Sequence, residues 1–90
     1  MDHIKQALEK QVLAALADPR FEWRTVEGVS RDTQVAPDRV LQVIEAMPDL
    51  VIRSRIPDAE GRALYTTREH YKETHSSLER LLYQFRTTST

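Results

Sequence analysis

Four prolines, Pro19, Pro37, Pro48 and Pro57, cut the chain into short stretches. A proline inside a helix removes a hydrogen bond and clashes with the preceding turn, and the residue before it disfavours the helical region. Regular elements are therefore expected to start or stop at each proline. The hydrophobic pattern between the cuts says which kind of element each stretch forms.

Before Pro19, Ile4, Leu8, Val12 and Leu16 recur every four residues, and Ala7, Leu13 and Ala15 widen the stripe. That is an amphipathic helix over 2–17, capped by Asp2 and ended by Asp18-Pro19. Phe21-Glu22-Trp23-Arg24 alternates aromatic with charged, the signature of a half-buried strand. Thr25 reads as the N-cap of a second helix carrying Val26 and Val29, with Gly28 allowing close packing. Thr33-Gln34-Val35-Ala36 is a tight connection into Pro37, which suits a first helical position, and Asp38 sits at the positive helix end. The third helix runs to about Met47. It buries Val40, Leu41, Val43, Ile44 and Met47 and leaves Arg39, Gln42 and Glu45 outside.

Leu50 to Ile56 and Arg62 to Thr67 read as two strands of a hairpin, joined by the turn Pro57-Asp58-Ala59-Glu60-Gly61. From about Arg68 to Arg86, Tyr71, Thr74, Leu78, Leu81, Leu82 and Phe85 follow a three-four spacing, a last helix. The expected organisation is one domain over 1–86, mainly α with a small β component. A polar tail, 87–90, is expected to be disordered.

Composition narrows the function. The chain has no cysteine, which excludes a disulfide scaffold, a thiolate nucleophile and a zinc finger, and points to the cytoplasm. Its apolar runs are too short for a membrane span. With only Gly28 and Gly61, no glycine-rich phosphate loop is possible. No nucleophile elbow surrounds the serines, and His70 and His75, five apart, fall on different helix faces. The chain reads as a binding module, not an enzyme, with no cofactor and no metal. Its formal net charge is −1, which weighs against a purely electrostatic grip on nucleic acid. The distribution is less neutral: from Asp18 to Glu69 there are eight arginines, ten acids and no lysine. Arginine suits bidentate contacts to phosphate, carboxylate or guanine.

The element order, with Trp23 to Ser30, Val35 to Val40 and Leu50 to Thr67 as its carriers, resembles the winged helix-turn-helix superfamily over nearly the whole chain. The resemblance implies a three-helix core with a small sheet, carrying the β-hairpin wing, packed on one edge; the last helix read from the spacing is an extra C-terminal one. It further implies a third helix that enters the DNA major groove and a wing on the minor groove or backbone, although some members bind only proteins. Ala36 departs from the usual serine, threonine or aspartate cap, partly offset by Pro37.

Two readings stand for each candidate site. Arg39 and Gln42 share a helix face and fit guanine and adenine edges; equally, they fit a solvated face with Asp38 and Glu45. Arg53 and Arg55 alternate along the first wing strand and Arg62 follows the turn, a set suited to phosphates or a minor groove. The same charges would protect a short sheet edge, and Asp58 and Glu60 would neutralise them. Tyr71, Leu78, Leu82 and Phe85 are candidates for a homodimer contact through the last helix, or for packing on the first. The partner is therefore double-stranded DNA or, as the alternative, a protein within a larger assembly; no membrane is implied.

Overall fold

The structure, a computed structural model, describes residues 2–75. Leu78, Leu82 and Phe85, with the expected tail, lie outside the described residues. Helix α1 (Asp2–Leu16) is followed by α2 (Val26–Thr33), α3 (Pro37–Glu45) and the antiparallel strands β1 (Val51–Arg53) and β2 (Tyr65–Thr67). Residues 68–75 are helical again.

In α1 the apolar stripe works only toward the C-terminal half. Val12 and Leu16 are fully buried, and Leu8, Leu13 and Ala15 pack beside them. Ile4, expected inside, is 67% exposed. The flank of α3 meets α1 around Lys5, Leu8 and Glu9, and the first turn carries its apolar side chain into solvent.

Helix α2 begins as its sequence dictates. Thr25 accepts a hydrogen bond from the Gly28 amide at 3.0 Å, a cap that contributes about 1 kcal/mol. Its end is less expected. Gln34 takes a left-handed conformation (φ 63°), and its amide closes on the Ser30 carbonyl. The Ser30 hydroxyl donates to the Val35 carbonyl at 2.6 Å, and the Thr33 hydroxyl donates to the Val29 carbonyl at 2.7 Å. The Gln34 amide satisfies a carbonyl that the helix end would orphan, and the two hydroxyls tie the turn into α3.

Helix α3 starts at Pro37 with no side-chain cap from Ala36. Val40, Val43 and Ile44 are buried, joined by Met47 just beyond the helix end. Leu41, expected in this set, is 36% exposed. Its position lies off the buried stripe, about 100° of helical rotation from Val40. Together with Val12, Leu16, Val29 and Val51 these side chains form one small core.

The expected strand at 21–24 reduces to a single residue. Arg24 exchanges two backbone hydrogen bonds with Tyr65, both 2.8 Å, in an isolated bridge. The preceding residues are bent instead of extended: the Phe21 amide bonds the Asp18 carbonyl, and Arg20 is clasped to the Asp18 carboxylate at 2.7 Å. The alternation holds for exposed Glu22 and half-buried Trp23 but fails at both ends. Arg24 is 7% exposed and Phe21 38%.

The wing is likewise shorter in ladder than in sequence. Val51, Ile52 and Arg53 pair with Thr67, Thr66 and Tyr65. Past Arg53 the Ser54 hydroxyl accepts from the Ile56 amide at 3.1 Å and donates to the Ile56 carbonyl at 2.8 Å. That local turn bends the chain at Arg55 and ends the strand.

Candidate nucleic-acid interface

The outer side of α3 presents Asp38, Arg39, Leu41, Gln42 and Glu45 to solvent. Arg39 and Gln42 flank a shallow groove against α1, opposite Lys5 and Glu9. The other flank, Asp38 and Leu41, meets Glu27 and the wing residue Arg62 around a second groove. The helix thus offers one arginine and two acids. Its two expected base-reading residues lie together, at the α1 side.

The three wing arginines do not form one cluster. Arg62 is held by Asp58 at 2.8 Å and by Glu60 at 3.4 Å. Asp58 is the keystone of the turn: one carboxylate oxygen accepts from the amides of Arg62 (2.7 Å) and Glu60 (3.0 Å). These bonds, that from the Arg62 amide foremost, hold its carboxyl below the usual carboxylate range. The pair in turn raises the Arg62 pKa. Gly61, at φ 83°, supplies the left-handed residue that closes the turn.

Arg53 and Arg55 are exposed, and neither has an acid partner among the described residues. Because of the Ser54 turn they are not successive positions on one flat strand. They nevertheless border the same depression, of about 380 Å³, lined also by Trp23, Tyr71 and His75. Tyr71, a dimer candidate from the sequence, has its ring 5.8 Å from Trp23 and 3.9 Å from His75 in the same chain.

The residue that sequence reasoning missed is Arg24. Its buried guanidinium bonds the Ala15 and Gly28 carbonyls, each at 3.3 Å, and pairs with Asp32 at 2.7 Å. It also lies 4.2 Å from the Phe21 ring centroid. Helices α1 and α2 and the segment between them thus converge on one side chain. The available signal was Gly28 four positions on and Asp32 eight on, one helix face aimed back at Arg24. Among the described residues no group of three or more histidine or acidic side chains is placed to hold a metal, and no helix is long and apolar enough to cross a membrane.

The architecture, three helices and a two-stranded wing followed by a further helix, is that of a winged helix-turn-helix domain. The sequence matches no protein-family model and no curated protein. Solved structures do match. A double mutant of ZitR from Lactococcus lactis, in its apo form, superposes with a TM-score of 0.59 at 17% identity, over 98% of this chain and 69% of that one. A single-site ZitR mutant gives 0.59 at 18% identity, over 91% of this chain and 58% of its own. ZitR itself, described as a zinc-responsive MarR family member, gives 0.52 at 17% identity over 90% and 58%. The chain therefore has the winged-helix fold of these proteins and spans between 58% and 69% of their lengths.

Proposed function

We propose that this domain binds double-stranded DNA, with the wing as its main contact. The observation that carries the reading is the pair Arg53 and Arg55: exposed, on the wing of a winged helix, without carboxylate partners among the described residues. In this role they neutralise backbone phosphates, while Arg39 and Gln42 reach base edges from α3. Regulation of transcription, the role of the MarR family to which ZitR is assigned, is the wider setting that this reading suggests.

A mobility-shift titration with random-sequence duplex at low salt tests it. Arg53→Ala with Arg55→Ala should weaken binding and flatten the salt dependence by nearly two phosphate contacts, about 0.9 in slope for each. Unchanged affinity and slope would remove the wing from the interface. A second reading has its own support. Asp38 and Glu45 on α3, and Glu27 beside Arg62, make the helix face a patchwork that suits a protein with basic groups. It takes precedence if no duplex is bound at low salt.

A further inference from the structure

The depression behind the wing combines an aromatic wall, which the duplex reading does not use, with the two wing arginines, which it does. Aromatic rings line it: Trp23, Tyr71 and His75 follow one another with centroids 5.8 Å and 3.9 Å apart and planes tilted by 59° and 38°. Its rim is cationic: Arg53 and Arg55 both border it. Among the described residues no carboxylate lines it, whereas Glu9, Glu27 with Asp38, and Asp49 with Glu69 line the other described grooves. Half-buried rings that merely closed a core would be sealed by their neighbours. Here they stay open to a recess of about 380 Å³, and Ile56 beside them is 76% exposed. That volume is in the range of small-ligand sites, which bring together an apolar wall and a few convergent polar groups.

We infer that this depression is a site for an unpaired nucleotide, its base stacked on one ring of the tilted Trp23–Tyr71 pair and its phosphate held by Arg53 and Arg55. Base stacking on aromatic rings needs a free π-face, which a paired base inside a duplex does not offer, and the neighbouring arginines supply the anion contact. A free mononucleotide and one residue of a single strand present the same chemistry. The site shares two arginines with the proposed duplex surface but does not rest on that reading, since Trp23, Tyr71 and His75 play no part in it.

Trp23 is the single tryptophan of the chain, so its emission reports the site directly. The full 90-residue chain is titrated with adenosine 5′-monophosphate in one arm and with an oligodeoxyadenylate in the other. Saturable quenching is expected in at least one arm, and the arm that responds identifies the source. Tyr71→Leu should weaken it at least about fivefold, Tyr71→Phe should restore it, and Arg55→Ala should weaken it and reduce its salt dependence. Duplex mobility shifts should be unchanged in Tyr71→Leu, which separates this site from the proposed function. Absence of quenching in both arms at millimolar ligand overturns the inference. So does quenching that survives both Arg55→Ala and Tyr71→Leu. Arg55 is exposed, so its variant remains informative if the tyrosine variant misfolds.

Discussion

The Arg24 guanidinium reaches the Asp32 carboxylate across 2.7 Å from a buried position, its side chain 6% exposed against 41% for its partner. The pair is lopsided: one charge lies inside the framework and the other half in water. The energetic weight therefore falls on the arginine and its carbonyl contacts.

Replacing Arg24 should be far more damaging than replacing Asp32. Arg24→Ala removes two hydrogen bonds from a buried charged group, to the Ala15 and Gly28 carbonyls, a loss of about 3 kcal/mol. In a chain this small that lowers Tm by more than about 10 °C. Arg24→Lys should restore only part, because one ammonium cannot span three acceptors as a planar fork does. Asp32→Asn should cost less than about 1 kcal/mol. Thermal melts of the three variants decide it; equal losses at both positions would refute the asymmetry.

Gln34→Gly should stabilise the domain. Gln34 occupies the left-handed region at the end of α2, where a Cβ carries a steric cost that glycine escapes. Its side chain contributes one exposed hydrogen bond to the Arg31 carbonyl. A gain of about 0.5–1 kcal/mol in urea denaturation is expected. A loss of stability would show that the side-chain bond outweighs the backbone cost.

Asp58→Asn should tighten duplex binding. The substitution frees Arg62 from its closest acid and removes one negative charge from the wing tip. If the wing lies on phosphates, affinity rises and the salt slope steepens by about one phosphate contact. Weaker binding would mean that the turn geometry fixed by Asp58 matters more than the charge it cancels.

Acid should loosen two clasps. Asp18 is drawn from 3.8 to about 2, mainly by the Arg20 side-chain hydrogen bond, and Asp58 is lowered by the amide and guanidinium of Arg62. A depressed folded pKa gives stability that is present above the ordinary carboxylate pKa and lost as pH falls through the folded value. The contribution of Asp18 should therefore fade between pH 3.8 and about 2. Carboxyl NMR titrations should show both midpoints below the ordinary value, and Arg20→Ala should return Asp18 toward it.

Where local chemistry decides the structure, the sequence was informative. Pro19, Pro37 and Pro48, with the Thr25 cap, bracket the three helices to within a turn. Where tertiary context decides, it was not. The alternation at Phe21 to Arg24 suggested buried rings and exposed charges, but a buried arginine with two carbonyls and a carboxylate to satisfy it outweighed the local pattern. Gly28 was legible as a point of close approach. What approaches it was not: a Cβ there would stand 3.3 Å from the Arg24 guanidinium. Alternation also placed Arg53 and Arg55 on one strand face, and the Ser54 hydroxyl, bonding its own neighbour's backbone, broke that strand between them. The aromatic recess was invisible because Trp23, Arg53 and Tyr71 come from separate stretches that only the fold unites.

Tyr65 has a consequence for engineering. Its backbone pairs with Arg24 on one side and stands opposite Arg53 on the other, so β2 is the middle seam between the start of the domain and its wing. The tip from Asp58 to Gly61 hangs outside that seam and is closed by its own bonds. It is accordingly the natural graft point: a reporter peptide spliced between Ala59 and Glu60 would lengthen the wing while the stitching of β2 to both neighbours stays in place.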